Sequence, residues 1–437
     1  MSSVLTSWPM LVLLLWWPVQ NLALAFFAWR TPRRPSTATA ASDRTTQLQF
    51  WIIIPALNEE RVIERTVRSA LELGDADTPV RVLVVDDGSD DSTARVVSGI
   101  DHPHLHVMRR EAPYARQGKG EALNAGYRYV AGVARSEQTR MQTVVGVIDG
   151  DGRGSDGLLR EVAALLRERG VGAVQCRVRI HNRRKLLGLL QDLEFGVVAD
   201  ASQSLRDLLG SVGMGGNGQF TRLPVLEKFH PSPWTDCLVE DLELGLRLHL
   251  AGIRIRYTQR AWVTQQGLED IRRLLRQRTR WAQGNLQCAR HLRALAVSKF
   301  VAGAGLLDFL VYLVMPWLTV PASLFSAALA VLVPVTLLTG GTMGGLVAAA
   351  SAAPLAAGLW LAALVAPGLM WALVFWIRRR DEPLRRAALA GLAYPGFLLL
   401  GVAATWRAVF RIATRRNKWT KTERLAESGP EQATLTP

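Results

Sequence analysis

The sequence predicts an α/β domain, a largely parallel sheet flanked by helices, inserted between one N-terminal transmembrane helix and a C-terminal bundle of transmembrane helices. Three observations predict it. Residues 8–29 carry no charge, and between residues 301 and 377 the only charged side chain is Asp308. Residues 48–300 instead alternate short apolar runs with helix-period segments. A spanning helix needs only about 20 apolar residues, so the segment from 301 onward is too long and too apolar for an ordinary soluble core. A hydrophobic share of 49% and a mean hydropathy of +0.13 exclude a disordered or fibrous chain.

The first element is an apolar helix over residues 7–29, followed by Arg30, Arg33 and Arg34. A signal peptide carries its positive charge before the apolar run, and here the charge follows it. The segment therefore reads as an uncleaved anchor, with the chain from residue 30 onward in the cytoplasm. A Thr/Ala/Ser-rich linker, residues 30–47, leads into the α/β domain of residues 48–300. Its strands are expected at 50–54, 80–85, 105–108, 143–148 and 172–178, nearly continuous apolar runs of the kind found in a sheet covered on both faces. Helices are expected at 59–73 and 155–169. In such a sheet the ligand crevice lies at the carboxyl ends of the strands, and the polar motifs fall there.

Residues 301–406 form the membrane region, about three or four spans or re-entrant segments, broken by Pro316, Pro321, Pro334, Pro354 and Pro367. A basic and then polar tail, 407–437, follows. The basic segments 378–386 and 407–421 both favour the cytoplasm, yet one apolar segment separates them, so either one lies outside or the segment is re-entrant. The chain has 52 Lys+Arg against 37 Asp+Glu, and much of the excess lies beside these apolar segments. That placement suits anionic lipid headgroups and argues against nucleic acid as a partner. Cys176, Cys237 and Cys288 are too widely spaced for a disulfide framework or a zinc pattern, and they fit a reducing compartment.

Several motifs end these strands. Pro55-Ala56-Leu57-Asn58-Glu59-Glu60 follows the first, and Asp86-Asp87-Gly88-Ser89 the second, with acidic groups placed for a nucleotide base or ribose. The same residues also serve as a helix N-cap. Gln117-Gly118-Lys119-Gly120 offers close backbone approach and one cation, without the G-x-x-x-x-G-K-[ST] phosphate loop. Asp149-Gly150-Asp151 places two hard-oxygen carboxylates after a buried strand, as a divalent cation requires and as a turn also favours. Residues 213–218 match G-x-G-x-x-G, but a poor strand precedes them, so the dinucleotide reading fails its context. Glu240-Asp241 opens a helical segment, either as an acidic cap or as an acceptor of a substrate proton. Gln277, Arg280 and Trp281 share one helical face, suited to a diphosphate and a sugar ring, or to a membrane surface. His102, His104 and His106 alternate on a short strand, a surface pattern rather than a metal cluster.

The order of these motifs resembles that of membrane-embedded family-2 glycosyltransferases. That group includes cellulose, chitin and hyaluronan synthases, nodulation-type chitin oligosaccharide synthases and bacterial glucosyl-diacylglycerol synthases. The resemblance covers about residues 50–290. It implies a GT-A fold and an inverting transfer from a nucleotide sugar, most often a UDP-sugar, with Mg²⁺ or Mn²⁺ as cofactor. Carried over by position, Asn58, Glu59 and Asp87 would contact uridine and Lys119 would lie near the diphosphate. Asp149 and Asp151 would sit at the nucleotide and metal, with Asp151 the direct ligand. Asp241 would be the general base, while Gln277, Arg280 and Trp281 would close over donor and acceptor. Glu240, Gly216 and Asn217 would border the acceptor. Val239 departs from the pattern, which commonly has Thr or another polar residue before Glu-Asp.

The resemblance also implies a plasma-membrane, multi-pass protein with a cytoplasmic catalytic domain. Its partners would be a UDP-sugar, a growing glycan or lipid acceptor, membrane lipids, and an export or accessory subunit where the product leaves the cell. The reading favoured is processive synthesis of a β-linked polysaccharide or oligosaccharide. The alternative is a glycolipid synthase that adds a single sugar to a lipid such as diacylglycerol. Q-x-x-R-W occurs in both groups. A channel would need polar or aromatic side chains in the spans, and Trp317, Trp360, Trp371, Trp376 and Tyr394 supply the aromatic ones.

Overall fold

The computed structural model describes residues 19–29, 47–339, 353–379 and 381–415. The start of the expected anchor (7–18), nearly all of the linker, the Gly-Gly turn at 340–341 and the tail beyond 415 lie outside the described residues. In chain order, the helices that position the site are α1 (Val19–Trp29), α2 (Ile63–Leu71), α3 (Lys119–Val133), α4 (Leu158–Leu166), α5 (Asp200–Leu209), α6 (Glu240–Leu250), α7 (Ile271–Cys288), α8 (Gly303–Thr339), α9 (Ala353–Arg379) and α10 (Leu384–Ala413). The strands are β1 (Gln49–Ala56), β2 (Val80–Asp86), β3 (Leu105–Arg109), β4 (Thr143–Val147), β5 (Arg153–Gly154), β6 (Val171–Ile180), β7 (Gln219–Arg222) and β8 (Arg254–Gln265).

They form one sheet in the order β3-β2-β1-β4-β7-β6-β8-β5. The half built from β3, β2, β1 and β4 is parallel, with Phe50 opposite both Val80 and Val144. Successive side chains along β1 point to opposite faces. Ile52 and Ile54 join Val67, Val82 and Leu159 in one core, while Ile53 joins Leu83, Leu123, Tyr127 and Leu244 in the other. Both faces are covered, which is why these strands are continuous in apolar residues.

The other half of the sheet departs from the sequence expectation. β7 runs antiparallel between β4 and β6, and β8 pairs in parallel with β6. Neither reads as an apolar run. β7 is QFTR, and β8 carries Arg254, Arg256 and Arg260. Tertiary partners make β8 stable, since Arg256 Nε lies 2.8 Å from Asp207 Oδ1 and the guanidinium also meets Glu168. Residues 200–209 are helical, so the glycine run of 213–218 does not follow a strand. The His106 ring packs tilted 4.9 Å from that of Trp51 and its Nδ1 lies 3.0 Å from the Tyr129 hydroxyl, an ordinary packing role.

By length and composition, two described helical stretches suffice to cross a membrane, Gly303–Pro321 and Leu384–Ala413. The N-terminal helix α1 is tied to α9 where Trp371 Nε1 donates to Asn21 Oδ1 at 3.1 Å. At Gly368 of α9 and Gly391 of α10 a Cβ on either would collide with the carbonyl of the other, the small-residue packing that lets apolar helices approach closely. A buried ionic layer joins these helices to the α/β domain. Arg378 lies 3.2 Å from Asp200, Arg379 meets Asp192, and Arg183 lies 2.9 Å from Asp381. α10 touches the domain at both ends. Arg386 donates to the Arg183 carbonyl at 2.6 Å, and Arg411 donates to Gln283 of α7 at 2.9 Å. Basic residues on both sides of this apolar helix, Arg386 and Arg411, thus sit against the α/β domain, and the helix packs along α7.

Candidate active site

A cavity of about 370 Å³ opens at the carboxyl ends of the parallel strands. It is lined by Glu59, Asp87, Lys119, Asp149, Gly216, Asn217, Glu240, Asp241, Gln277, Arg280 and Trp281, so residues from seven separate motifs converge.

After β1 the chain turns through Asn58, whose φ is +54°. Its side chain donates to Asp90 Oδ1 at 2.6 Å and accepts from the Asp90 backbone at 3.0 Å. Asn58 therefore pins the first loop to the second and does not line the cavity, unlike its neighbour Glu59. Asp87 follows β2, with Arg110 Nη1 2.5 Å from its Oδ1. Burial raises the Asp87 pKa, and the Arg110 charge opposes that rise without overcoming it. Arg110 also donates to the Tyr114 carbonyl at 2.5 Å, which fixes the carboxylate from behind.

Lys119 opens α3. Its Nζ lies 2.6 Å from Asp149 Oδ1, 3.8 Å from Glu240 Oε1 and 3.4 Å from the Gly216 carbonyl. Burial alone would pull this ammonium down, yet Asp149, Glu240 and Asp241 together hold it above its ordinary value. Gly120 is required by close approach, since a Cβ there would stand 2.5 Å from the Thr235 carbonyl. At Gly216 a Cβ would press on the charged groups themselves, 2.7 Å from Lys119 Nζ and 3.1 Å from Asp241 Oδ2.

The glycine loop is held from below. Gln175 accepts from Gly215 N at 2.8 Å and donates to the Asn217 carbonyl at 2.9 Å. Asn217 Oδ1 in turn accepts from Asp149 N at 3.2 Å. Asp149 faces the cavity, whereas Asp151 is only 1% exposed, accepts from Gln266 N at 2.7 Å and does not line it. Among the described residues no cluster of three or more metal-ligating side chains is preassembled. The carboxylate pair still suits a hard cation, because Mg²⁺ is usually held by one or two carboxylates together with substrate phosphates.

Glu240 and Asp241 begin α6. Asp241 Oδ1 accepts from Leu242 N at 2.9 Å, so it contacts the helix N-terminus while its other oxygen faces Gly216. Burial raises both carboxyls, Glu240 to about 7, with Lys119 opposing the rise in each. Val239 fills the space against Gly284 of α7, where a Cβ would meet its side chain at 2.7 Å. An apolar residue before Glu-Asp is thus a packing solution between α6 and α7.

On α7, Gln277, Arg280 and Trp281 face the cavity at one turn's spacing. The Trp281 ring meets Phe195 edge-on at 6.0 Å and carries the Arg278 guanidinium 4.8 Å from its centre. Arg278 is itself held by Glu194 at 2.8 Å. Arg280 Nε is buried without a hydrogen-bond partner among the described residues, a donor available to an anionic ligand. Arg110, Phe195, Gln203, Arg206, Asn285 and Tyr312 were not singled out in the sequence. All but Gln203, which bonds the nearby Gly213, act through a partner distant in the chain, and only Phe195 and Tyr312, aromatic beside apolar runs, carried any local signal.

Residues 48–284 match the glycosyltransferase like family 2 model, and the chain belongs to that family. It is 30% identical over 243 residues to a β-monoglucosyldiacylglycerol synthase of Trichormus variabilis, a match covering 54% of this chain and 48% of that one. It is 25% identical over 272 residues to a poly-β-1,6-N-acetyl-D-glucosamine synthase of Staphylococcus epidermidis, covering 62% of each. The match thus takes in about half the length of the glucosyldiacylglycerol synthase. A mannosyltransferase from Pyrobaculum calidifontis, solved with GDP-Man and Mn²⁺, superposes with a TM-score of 0.59 at 20% identity, covering 91% of this chain and 95% of that one. The fold is GT-A.

Proposed function

We propose that this chain is a membrane-bound inverting glycosyltransferase that moves a sugar from a UDP-sugar to an acceptor hydroxyl and builds a β-linked polysaccharide or oligosaccharide processively. The observation that carries the reading is the convergence of Asp241, Lys119, Asp149, Gln277 and Arg280 on one cavity. The acceptor oxygen attacks the anomeric carbon opposite the diphosphate. Asp241 takes its proton, and the electron pair of the breaking bond leaves on the diphosphate oxygen. Lys119 and Arg280 supply positive charge where that negative charge develops. Burial that raises the Asp241 pKa makes it a stronger base, provided the pH stays above that raised value. Asp149 and Asp151 would hold Mg²⁺ or Mn²⁺, which when bound neutralises the diphosphate. Asp87 and Glu59 face the nucleoside, Trp281 offers a stacking face to a sugar, and the α/β domain lies on the cytoplasmic side of the plasma membrane in a multi-pass chain.

A second reading, a glycolipid synthase adding one sugar to diacylglycerol, is favoured by the 30% identity to the β-monoglucosyldiacylglycerol synthase. Membranes expressing the chain, given Mg²⁺ or Mn²⁺ and labelled UDP-sugars, separate the two. Label in long aqueous or insoluble chains is the expected result. Label extracted into organic solvent as a single species establishes the lipid acceptor instead. Absence of Asp241-dependent turnover of every UDP-sugar overturns both.

A further inference from the structure

Asp308 is the only charged side chain between residues 301 and 377, and an ionisable group in an apolar segment marks a site whose partner should be sought. The partner is Arg206 of α5, which lines the cavity although Asp308 does not. Arg206 Nε lies 3.0 Å from Asp308 Oδ2, and the guanidinium sits 4.2 Å from the centre of the Tyr312 ring, one turn along α8. Asn285 of α7 hydrogen-bonds Tyr312 and also lines the cavity.

The ion pair is close but not aligned as a hydrogen bond, and among the described residues neither Arg206 Nε nor Asp308 Oδ2 has a hydrogen-bond partner, so the two atoms have only each other. Arg206 is 9% exposed. Its Nε is turned to Asp308, and the guanidinium, with five donors in all, belongs to a residue that lines the cavity, where a ligand can meet it. The neighbouring Gln203 does not compete, because its amide is already bonded both ways to Gly213, at 2.7 and 3.1 Å. Asp308 already supplies the counter-charge, so the ligand group that suits Arg206 is a neutral oxygen rather than a second anion. A hydroxyl meets that need, and the Tyr312 and Trp281 rings beside it suit the apolar face of a sugar or glycerol unit.

We propose that Arg206 is a specificity-determining residue for the hydroxyl-bearing head of the acceptor, and that Asp308 and Tyr312 of the membrane helix are its positioning residues. The proposal rests on the glycosyltransferase reading given above and adds which residues receive the acceptor. It makes the membrane helix part of the site, because Asp308 sets where the guanidinium stands.

The test uses membranes carrying the full chain or its Arg206→Ala, Arg206→Lys and Asp308→Asn variants, with the labelled UDP-sugar on which the wild type acts. Label transferred to endogenous acceptor, UDP released and UDP affinity are measured together. We expect the ratio of label transferred to UDP released to fall about tenfold in Arg206→Ala, the size of one lost hydrogen bond to a charged group. Asp308→Asn falls less, Arg206→Lys recovers part of the loss, and UDP affinity holds. Label in the organic phase assigns the head to a lipid, and label in the aqueous phase to a glycan. An unchanged ratio, or a UDP affinity that falls as far as the ratio, overturns the proposal. Should Arg206→Ala not accumulate, Arg206→Lys and Asp308→Asn carry the same test. A wild type that releases no UDP from any UDP-sugar fails the parent reading instead.

Discussion

At one end of the cavity Asp149, Lys119, Glu240 and Asp241 lie in a single network, each supplied by a strand end or a helix N-terminus of the α/β domain. At the other end Arg206 stands between the α/β domain and the apolar helix α8, with Asp308 and Tyr312 as partners. The first end is compact in charge and held from below by Gln175 and Asn217. The second rests on one ion pair and one ring contact between two elements. A preassembled charge network suits the part of a reaction common to a family, and an adjustable junction suits the part that differs between members. Substitutions in the first should abolish chemistry, and those in the second should redirect it.

The largest effect expected at the charged end is from Asp241→Asn. Loss of a positioned base should lower transfer roughly 10²- to 10⁴-fold while UDP still binds. A fall in UDP affinity as large as the fall in rate would move Asp241 from base to donor-binding residue and blur the comparison.

Lys119→Met should follow, through pH as well as rate. Burial raises the Asp241 and Glu240 carboxyls and Lys119 opposes it, so activity falls as pH drops through values above the ordinary carboxylate range. Removing the cation leaves protonation easier, and the acid limb should move to higher pH. A limb that stays in place in the variant's pH–rate profile would show that Lys119 does not govern these groups.

Metal dependence sharpens the comparison within the charged end itself. Asp149→Ala and Asp151→Ala should each weaken metal-dependent UDP binding. Asp149 should show the greater loss, because it already faces the cavity and Asp151 is turned onto Gln266. Calorimetric titration of UDP with and without Mn²⁺ reads this directly, and a wild-type metal response in both variants would remove the carboxylates from the cation.

The smallest effect concerns stability. Burial would raise Glu243, but hydrogen bonds from His291, Thr235 and Arg290 outweigh it and hold the carboxyl at about 2, below its ordinary 4.5. A depressed folded-state pKa contributes stability that is present above 4.5 and lost as pH falls toward 2. Glu243→Gln should cost about 1–3 kcal/mol near neutral pH and flatten the acid-side decline of the melting temperature. An unaltered slope would deny the cluster any role in fixing α6 against the segment after α7.

The parallel strands could be read from the sequence because they are buried on both faces and so are continuously apolar, as in β1 and β2. The charged end was legible for a related reason. Strand ends and helix starts concentrate Asp, Gly and Lys in short motifs such as Asp149-Gly150-Asp151 and Glu240-Asp241, whose spacing lies within one local element. That local chemistry also indicated the long apolar helices and the basic residues beside them.

Only the tertiary structure decided the remainder. β8 carries three arginines and is held as a strand where Arg256 finds Asp207 and Glu168, and the short β7 is a strand because it pairs between β4 and β6. Asn58 belongs to the motif yet turns onto Asp90, and Asp151 turns onto Gln266. Arg110 reaches Asp87, Arg206 reaches Asp308, and α10 returns both of its basic ends to the α/β domain. Each of these depends on a pairing across a long loop, whose closure is determined by the packing of the whole chain, and no local pattern of residues encodes it.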